Sequence, residues 1–376
     1  MRQCEAARML AAEAAHEGKS ARRIALHLFF ETADFALKDM EREERDIANG
    51  TAVFSPHQPT TEQIIRVVDA HCNRLVAMLQ VKRVVLRAAD CGFFAAFLAV
   101  LDTILLAPPE LEIEIDWRLT GGEKHFTYKP PRPGDCVWRC LFEPVEINKA
   151  GTRRPAAKNE SLELDCRFNF AFTARFRSYF TLSPHYELMR TMYNEVFRKH
   201  VVPKHPDLVS VLEGLGAELS SRECIGVHKR VDTLGTMEYQ TCRKVYSCDD
   251  FIKAVRAMIK RRPKPVELIF LATDDENAEE TFRQAFGSML RVRQNVQRVP
   301  GGLNSDGTLN EVHIASPFNP GCTVRDAVDV VADAMLLAKC KCVLHMDSNV
   351  TSAVSLMSAE VEMVHIRDEA RRGGAL

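Results

Sequence analysis

The stretch Cys342-Val-Leu-His-Met-Asp-Ser-Asn-Val-Thr-Ser-Ala-Val-Ser-Leu-Met357 indicates the fold class of this sequence. Its first residues predict a short buried strand, and Ser348 then begins a helix as its N-cap. A strand that turns directly into a helix can bind an anion, because backbone N–H groups of the first turn point outward and the helix dipole is positive there. The hydroxyls of Ser348, Thr351 and Ser352 are expected to add donors. We predict a phosphate site here; the simpler alternative is a helix capped for stability alone.

Length and charge predict a folded protein of two domains that does not bind nucleic acid. A chain of 376 residues is too long for one average hydrophobic core. Hydrophobic residues make up 46% and charged residues 27% of the sequence, as in ordinary globular proteins. Lys and Arg number 50 and Asp and Glu 51, so the net charge of -1 creates no overall basic field for nucleic acid or an anionic membrane.

The targeting and cysteine patterns bear on the cellular compartment. No apolar run reaches the roughly 18 to 20 residues of a membrane span, and the N-terminus lacks the apolar core of a signal peptide. We therefore expect a cytoplasmic protein, or a secretory-pathway protein if an N-terminal anchor is missing from the sequence. The 12 cysteines lack C-x-x-C pairs, so reduced thiols are the simpler interpretation and disulfides the alternative.

Three segments of the chain differ in their hydrophobic pattern. Residues 1–80 predict a helical extension, because their apolar residues recur at helical spacing. Residues 81–220 open with a strand, a turn and an apolar helix, and form the predicted N-terminal lobe. Residues 221–376 alternate strands with helices that begin at caps such as Ser247 and Thr323. This alternation predicts an α/β fold with a mostly parallel sheet covered by helices.

Ligands of such sheets bind beyond the carboxyl ends of the strands, which selects residues 228–232, 273–275 and 347–352. Arg230 is the strongest candidate, because its guanidinium group can donate two hydrogen bonds to a diphosphate and neutralise charge on a departing phosphate. His228 lies two residues earlier on the same strand face. Their position at a predicted strand end favours a binding role over a purely structural hydrogen-bond network.

Two consecutive acids follow the second of these strands. We expect one of Asp274 and Asp275 to cap the next helix and the other to accept hydrogen bonds from a base or ribose. The pair lacks the spacing of a metal-bridging Asp-x-Asp motif. The prediction is therefore a diphosphate site without a metal and without a cofactor other than the donor substrate.

The residues at these strand ends carry a family resemblance. Four stretches, which make up three blocks, resemble the C-terminal blocks of the GDP-fucose-dependent fucosyltransferase superfamily, which includes α1,6-fucosyltransferases, the nodulation fucosyltransferase and protein O-fucosyltransferases. They are Ile225-Gly-Val-His-Lys-Arg-Val-Asp232, Phe270-Leu-Ala-Thr-Asp-Asp275, Asp333-Ala-Met-Leu-Leu-Ala-Lys-Cys340 and Leu344-His-Met-Asp-Ser-Asn-Val-Thr-Ser352. Asp90-Cys-Gly-Phe-Phe94 stands where that superfamily has a glycine-rich loop after its first strand.

The resemblance implies a GT-B-like fold with two Rossmann-like lobes, residues 81–220 as the acceptor lobe and 221–376 as the nucleotide-sugar-binding lobe. It also implies metal-independent transfer with inversion. Arg230 would hold the β-phosphate, one acid of the Asp274–Asp275 pair the nucleoside, and residues 348–352 the phosphates. The residues predicted to bind the donor are His228, Arg230, Asp274, Asp275, Asp347, Ser348, Asn349, Val350, Thr351 and Ser352.

The predicted function is transfer of fucose from GDP-fucose to a hydroxyl group of a glycan or protein acceptor. Arg230 and Asp90 are the predicted catalytic residues, Asp90 as the first candidate for the general base and Glu143 as the second. Where the superfamily continues Arg-x-Thr-Asp-Lys, this chain has Arg230-Val-Asp-Thr-Leu234. A glycosyltransferase for another nucleotide sugar is therefore one alternative, and an inactive binding or scaffold protein on the same fold is the other.

Overall fold

A computed structural model provides the structure of the chain. It describes residues 45, 49, 69, 73–74, 76–88, 91–108, 111–118, 128–132, 134–145, 160–165, 186–231, 246–300, 305, 312, 322–346 and 348–372. The predicted helical extension at 1–80 falls almost entirely outside these residues, as do Asp90 and Asp347. Within the described part, no helix has an apolar stretch long enough to cross a bilayer.

The described strands are β1 Arg83–Arg87, β2 Glu112–Asp116, β3 Tyr128–Lys129, β4 Ser161–Asp165, β5 Cys224–Lys229, β6 Leu268–Thr273, β7 Leu290–Val292, β8 Cys322–Thr323, β9 Cys342–His345 and β10 Glu362–His365. The described helices are α1 Phe93–Leu106, α2 Val137–Leu141, α3 Tyr186–His200, α4 Pro206–Glu213, α5 Leu215–Ser221, α6 Cys248–Arg261, α7 Glu276–Phe286, α8 Val324–Leu337, α9 Asn349–Met357 and α10 Ile366–Arg372.

The chain divides into two compact units. The first comprises residues 1–125 and 143–202, and the second comprises residues 126–142 and 203–376. The second unit thus includes residues 126–142 and 203–220, which fall within the segment 81–220 predicted as the N-terminal lobe. The reason is packing: α4 packs on α8, and β3 pairs with β8.

The first unit contains a parallel sheet in the order β2-β1-β4. One helix, α1, is buried almost throughout, because 13 of its 14 residues lie in the core. Its Asp102 accepts a hydrogen bond from the Tyr193 hydroxyl of α3 at 2.6 Å. Arg83 and Arg87 on β1 form ion pairs with Glu114 and Asp116 on β2, so the strictly alternating strand β2 keeps its charged side chains on one face.

The second unit contains a parallel sheet in the order β10-β9-β5-β6-β7. Alternate strand residues form one apolar core with α6, α7 and the start of α10. The other face carries α8, which packs against β5 and β6 and is buried along most of its length. A parallel sheet in each unit, with helices packed on the strands, confirms the predicted α/β class with Rossmann-like sheets.

Gly226 sets how closely helix and strand approach on the α8 face. A Cβ atom at this position would lie 2.9 Å from Cδ2 of Leu337 and 3.1 Å from both Sγ of Cys340 and Cγ2 of Val343. No side chain larger than hydrogen fits there without moving these neighbours. The glycine therefore brings the end of α8 and the strand β9 close to β5.

Candidate functional site

The strand order creates a switch point between β5 and β9. The chain proceeds outward from β5 to β6 and β7, returns through α8 to β9 on the other side of β5, and then continues to β10. Crevices outside the carboxyl ends of the strands at such a reversal are the usual ligand sites of open parallel sheets. The residues that follow β5 and β9 therefore define the candidate site of this unit.

The end of β5 supplies His228, Lys229 and Arg230. His228 is buried, with 6% of its surface exposed, and it is the register partner of His345 on β9. Arg230 follows the strand, its side chain 19% exposed, and its Nε lies 3.7 Å from Oδ2 of Asp274. Since alternate residues of a strand share a face, His228 and Gly226 face α8, whereas Lys229 shares the opposite face with Val227.

The two acids after β6 have different partners. Asp275 is buried and caps α7, its Oδ1 accepting a hydrogen bond from the backbone N–H of Asn277 at 2.9 Å, and its Oδ2 accepts one from Lys229 Nζ at 2.7 Å. Asp274 is more exposed, and its Oδ1 accepts a hydrogen bond from the backbone N–H of Val231 at 2.5 Å. The helix-capping role thus falls to Asp275, and Asp274 is the acid at the edge of the site.

The helix α9 begins directly after β9 with a reciprocal capping box. Ser348 Oγ accepts a hydrogen bond from the backbone N–H of Thr351 at 3.1 Å, and Thr351 Oγ1 accepts one from the backbone N–H of Ser348 at 3.2 Å. Thr351 Oγ1 donates to the carbonyl of Met346 or Ser348, and Ser352 Oγ donates to the carbonyl of Ser348 at 3.2 Å. All three hydroxyl side chains are buried.

This capping network changes how the helix end can bind an anion. The sequence pattern predicts that the hydroxyls of Ser348, Thr351 and Ser352 point to a phosphate, but the structure engages them within the helix end. A negative ligand at this position would instead meet the backbone N–H groups of the first turn, including those of Asn349 and Val350, and the positive end of the helix dipole.

Two histidines at the same sheet edge were not identified from the sequence. His228, His345 and His365 are register partners on the adjacent strands β5, β9 and β10, so they share one face of the sheet. The rings of His345 and His365 meet edge to face with centroids 5.4 Å apart, and the backbone N–H of Arg367 donates to His365 Nδ1 at 3.0 Å. Once the strand order is known, the alternation of side chains along each strand places these three histidines side by side on one face.

Lys229 was also missed, although it stands between two predicted site residues. It is fully buried, with 0% of its side chain exposed, and it donates to Asp275 Oδ2 and to the carbonyl of Arg230 at 3.1 Å. Its position in the strand could have indicated this environment. Lys229 lies on the same face as Ile225 and Val227, in a strand that is buried on both sides. A lysine on a core face requires an acidic partner, and the strand ends offered one in Asp275.

A partly buried acid of the third sequence block, Asp333, lies on α8. Asp333 on α8 accepts a hydrogen bond from Arg293 Nη1 at 3.3 Å, and Arg293 Nη2 donates to Asp329 Oδ1 at 2.6 Å. Burial raises the pKa of Asp333 to about 6, although the guanidinium group of Arg293 opposes the shift. Arg293 follows β7, so this cluster joins the end of that strand to α8.

The described residues do not test the predicted general bases. Asp90 and the donor-binding candidate Asp347 lie outside the described part of the chain. Glu143 is exposed at the start of the second segment of the first unit, where its backbone N–H donates to the carbonyl of Val202 at 2.9 Å. Their predicted roles stay predictions.

Fold and site together define a Rossmann-like α/β protein with a basic residue and a helix N-terminus flanking the switch point of a parallel sheet. No family model matches the chain, and no curated protein matches it.

Solved structures to which the chain is similar include NodZ alpha-1,6-fucosyltransferase soaked with GDP-fucose, with 16% identity, 74% of this chain and 93% of that chain covered, and a TM-score of 0.39. A second is the fucosyltransferase NodZ from Bradyrhizobium, with 17% identity, 74% of this chain and 94% of that chain covered, and a TM-score of 0.39. A third is an Arabidopsis thaliana FUT1 mutant in complex with GDP, with 10% identity, 82% of this chain and 80% of that chain covered, and a TM-score of 0.39. The NodZ proteins are fucosyltransferases by name.

Proposed function

We propose that this chain is an inverting, metal-independent glycosyltransferase that moves fucose from GDP-fucose to a hydroxyl group of a glycan or protein acceptor. The observation that carries the proposal is the position of Arg230 after β5 and of the α9 N-terminus after the neighbouring strand β9. A diphosphate between them would meet a guanidinium group on one side and backbone N–H groups on the other. The sequence blocks that resemble the fucosyltransferases contain these same residues.

The proposed chemistry requires stabilisation of the leaving group. The bond between the anomeric carbon and the β-phosphate oxygen breaks with its electron pair passing to GDP, while the sugar develops oxocarbenium character. Charge therefore grows on the phosphate oxygen in the transition state. Arg230 and the α9 N-terminus act on that charge, so their interactions strengthen as the bond breaks and lower the barrier.

The acceptor oxygen forms the new bond to the anomeric carbon on the face opposite to the departing diphosphate. Its proton passes to a general base or to solvent. The proposed general base is Asp90, and Glu143 is the second candidate. In the nucleotide-binding unit, Asp274 is proposed to accept hydrogen bonds from the nucleoside, because it is the more exposed acid of the pair. His228 is proposed to lie against the diphosphate on the α8 face.

The direct test is calorimetric titration with GDP, UDP, ADP and their sugars in a buffer with a metal chelator. We expect selective binding of GDP and GDP-fucose, followed by release of GDP when an acceptor is present. Selective binding of UDP or ADP would assign another nucleotide sugar, for which the altered segment Val231-Asp-Thr-Leu234 gives a reason. Binding of GDP without hydrolysis or transfer of any donor would indicate a binding protein.

Replacement of Arg230 tests the proposed phosphate contact. In Arg230→Ala, GDP binding should weaken by at least about tenfold, because a charge-assisted hydrogen bond to phosphate is lost. Turnover should fall further, since the contact strengthens in the transition state. Arg283→Ala is the matched control, because Arg283 is a half-exposed arginine that forms an ion pair with Glu279 on its own helix. Full turnover in Arg230→Ala would refute the proposed role.

A further inference from the structure

Lys229 has an unusual environment for a lysine. Its side chain is completely buried, and its ammonium group donates to Asp275 Oδ2 at 2.7 Å and to the carbonyl oxygen of Arg230 at 3.1 Å. Removal of an ammonium group from water is unfavourable unless it is paired and hydrogen-bonded. An apolar side chain would fill the same core position without that cost, so packing alone does not account for a lysine here.

The two acids after β6 hold the chain on both sides of Arg230. Asp275 binds the side chain of Lys229, and Asp274 accepts a hydrogen bond from the backbone N–H of Val231 at 2.5 Å. The carbonyl of Arg230 itself receives the Lys229 ammonium. Lys229 is the last residue of β5 and pairs with Thr273 of β6, and just past the strand the backbone of Arg230 and Val231 is held by the Lys229 ammonium and by Asp274.

The partner acid is itself fixed. Asp275 caps α7 through Asn277, and its backbone N–H donates to Thr273 Oγ1 at 3.1 Å. A carboxylate held at a helix start cannot follow a moving lysine, so the ion pair transmits the position of α7 to the backbone of Arg230. The orientation of the arginine then depends on Lys229, which does not face the switch point.

We infer that Lys229 is a positioning residue for Arg230: through Asp275 and the Arg230 carbonyl it holds the guanidinium group where it meets the β-phosphate of the donor. The inference rests on the proposed donor site. A flexible arginine loses side-chain and backbone freedom when it binds a phosphate, whereas one on a fixed backbone loses less. Lys229 thus acts on the β-phosphate contact and not on the base or ribose.

The test uses a double replacement that removes both charges. Lys229→Met with Asp275→Asn leaves no unpaired buried charge, and asparagine still caps a helix, so the variant should fold. The measurement is calorimetric binding of GDP and of GMP, which lacks the β-phosphate. We expect GDP binding to weaken about tenfold and GMP binding to change by less than about twofold. Loss of general structure would instead weaken both nucleotides alike.

A second variant tests whether Lys229 acts through Arg230. When Arg230→Ala is added to the double replacement, GDP binding should be no weaker than in Arg230→Ala alone, because the positioned group is already absent. A further loss in the triple variant would show that Lys229 contributes independently of Arg230, and it would overturn the inference.

The matched control removes an ion pair at the opposite sheet edge, between the half-exposed Arg261 and the buried Glu369. Arg261 at the end of α6 binds Glu369 on α10, and helices that connect parallel strands end at the amino edge of the sheet. Arg261→Met with Glu369→Gln should leave GDP binding unchanged. If the Lys229→Met, Asp275→Asn variant bound GDP as tightly as the wild-type protein does, the positioning role would be refuted. If the wild-type protein itself did not bind GDP, the proposed function would fail instead.

Discussion

Replacement of Asp333 by asparagine should stabilise the protein at neutral pH. Burial raises the pKa of Asp333 from an ordinary 3.8 to about 6 in the folded state. A shift of roughly two pKa units corresponds to about 3 kcal/mol of folding free energy that the ionised acid costs above pH 7. Asparagine resembles the protonated acid, and its Oδ1 can still accept the hydrogen bond from Arg293 Nη1.

The sign of the pH dependence follows from the direction of the shift. Because the folded state holds the proton more tightly than the unfolded state, the Asp333 contribution favours folding at low pH. It is lost as the pH rises from about 4 through 6, and it changes little above pH 7. The stability difference between Asp333→Asn and wild type should therefore grow from near zero at about pH 4 to roughly 3 kcal/mol at pH 8.

Urea unfolding followed by circular dichroism across this pH range gives the required difference. Asp329→Asn is the matched comparison, because Asp329 lies one turn away on the same helix and binds the same arginine at 2.6 Å. That replacement should destabilise by about 3 kcal/mol or more at neutral pH, since it breaks a short buried ion pair. Equal destabilisation by Asp333→Asn at pH 5 and pH 8 would refute the reasoning.

Three further replacements test packing and capping. Gly226→Ala should lower the free energy of unfolding by about 1–3 kcal/mol, because its Cβ would lie 2.9 Å from a leucine methyl group of α8; an unchanged urea midpoint would contradict this. Ser348→Ala should lower the free energy of unfolding by about 1 kcal/mol, because the cap to Thr351 is lost, while GDP affinity changes less than about threefold. A large loss of GDP affinity in calorimetry would show that the Ser348 hydroxyl binds the ligand. Tyr193→Phe should cost about 1–3 kcal/mol in thermal unfolding, because it removes the hydrogen bond to buried Asp102, and an unchanged melting temperature would contradict the contact.

The starts of the helices could be predicted because their signals are local. Ser247, Thr323 and Ser348 each form a reciprocal capping box with a residue three positions later, and the sequence predicts each of them as a helix cap. The buried strands β5, β6 and β9 were likewise predicted from short apolar runs. A cap or a run depends on residues within one or two turns, so its physical cause is contained in the sequence window.

Contacts between distant residues could not be predicted in the same way. The ion pair between Lys229 and Asp275 joins residues 46 positions apart, and the pairing of β3 with β8 brings residues 126–142 into the second unit. Neither leaves a periodic pattern. The sequence predicts that one of Asp274 and Asp275 caps α7, but it does not decide which of the two does so.

The position of the candidate site depends on the course of α8. After β7 the chain must return across β5 and β6 to place β9 beside β5, and α8 packs on both strands as it does so. Its last residue, Leu337, lies against Gly226, two residues before His228 on the same strand face. Gly226 therefore allows α8 to pack closely on β5, and this places β9 and the start of α9 at Ser348 next to the strand that precedes Arg230. A substitution at Gly226 that moved β9 away from β5 would separate the two sides of the proposed diphosphate site, so GDP affinity and stability should fall together in that variant.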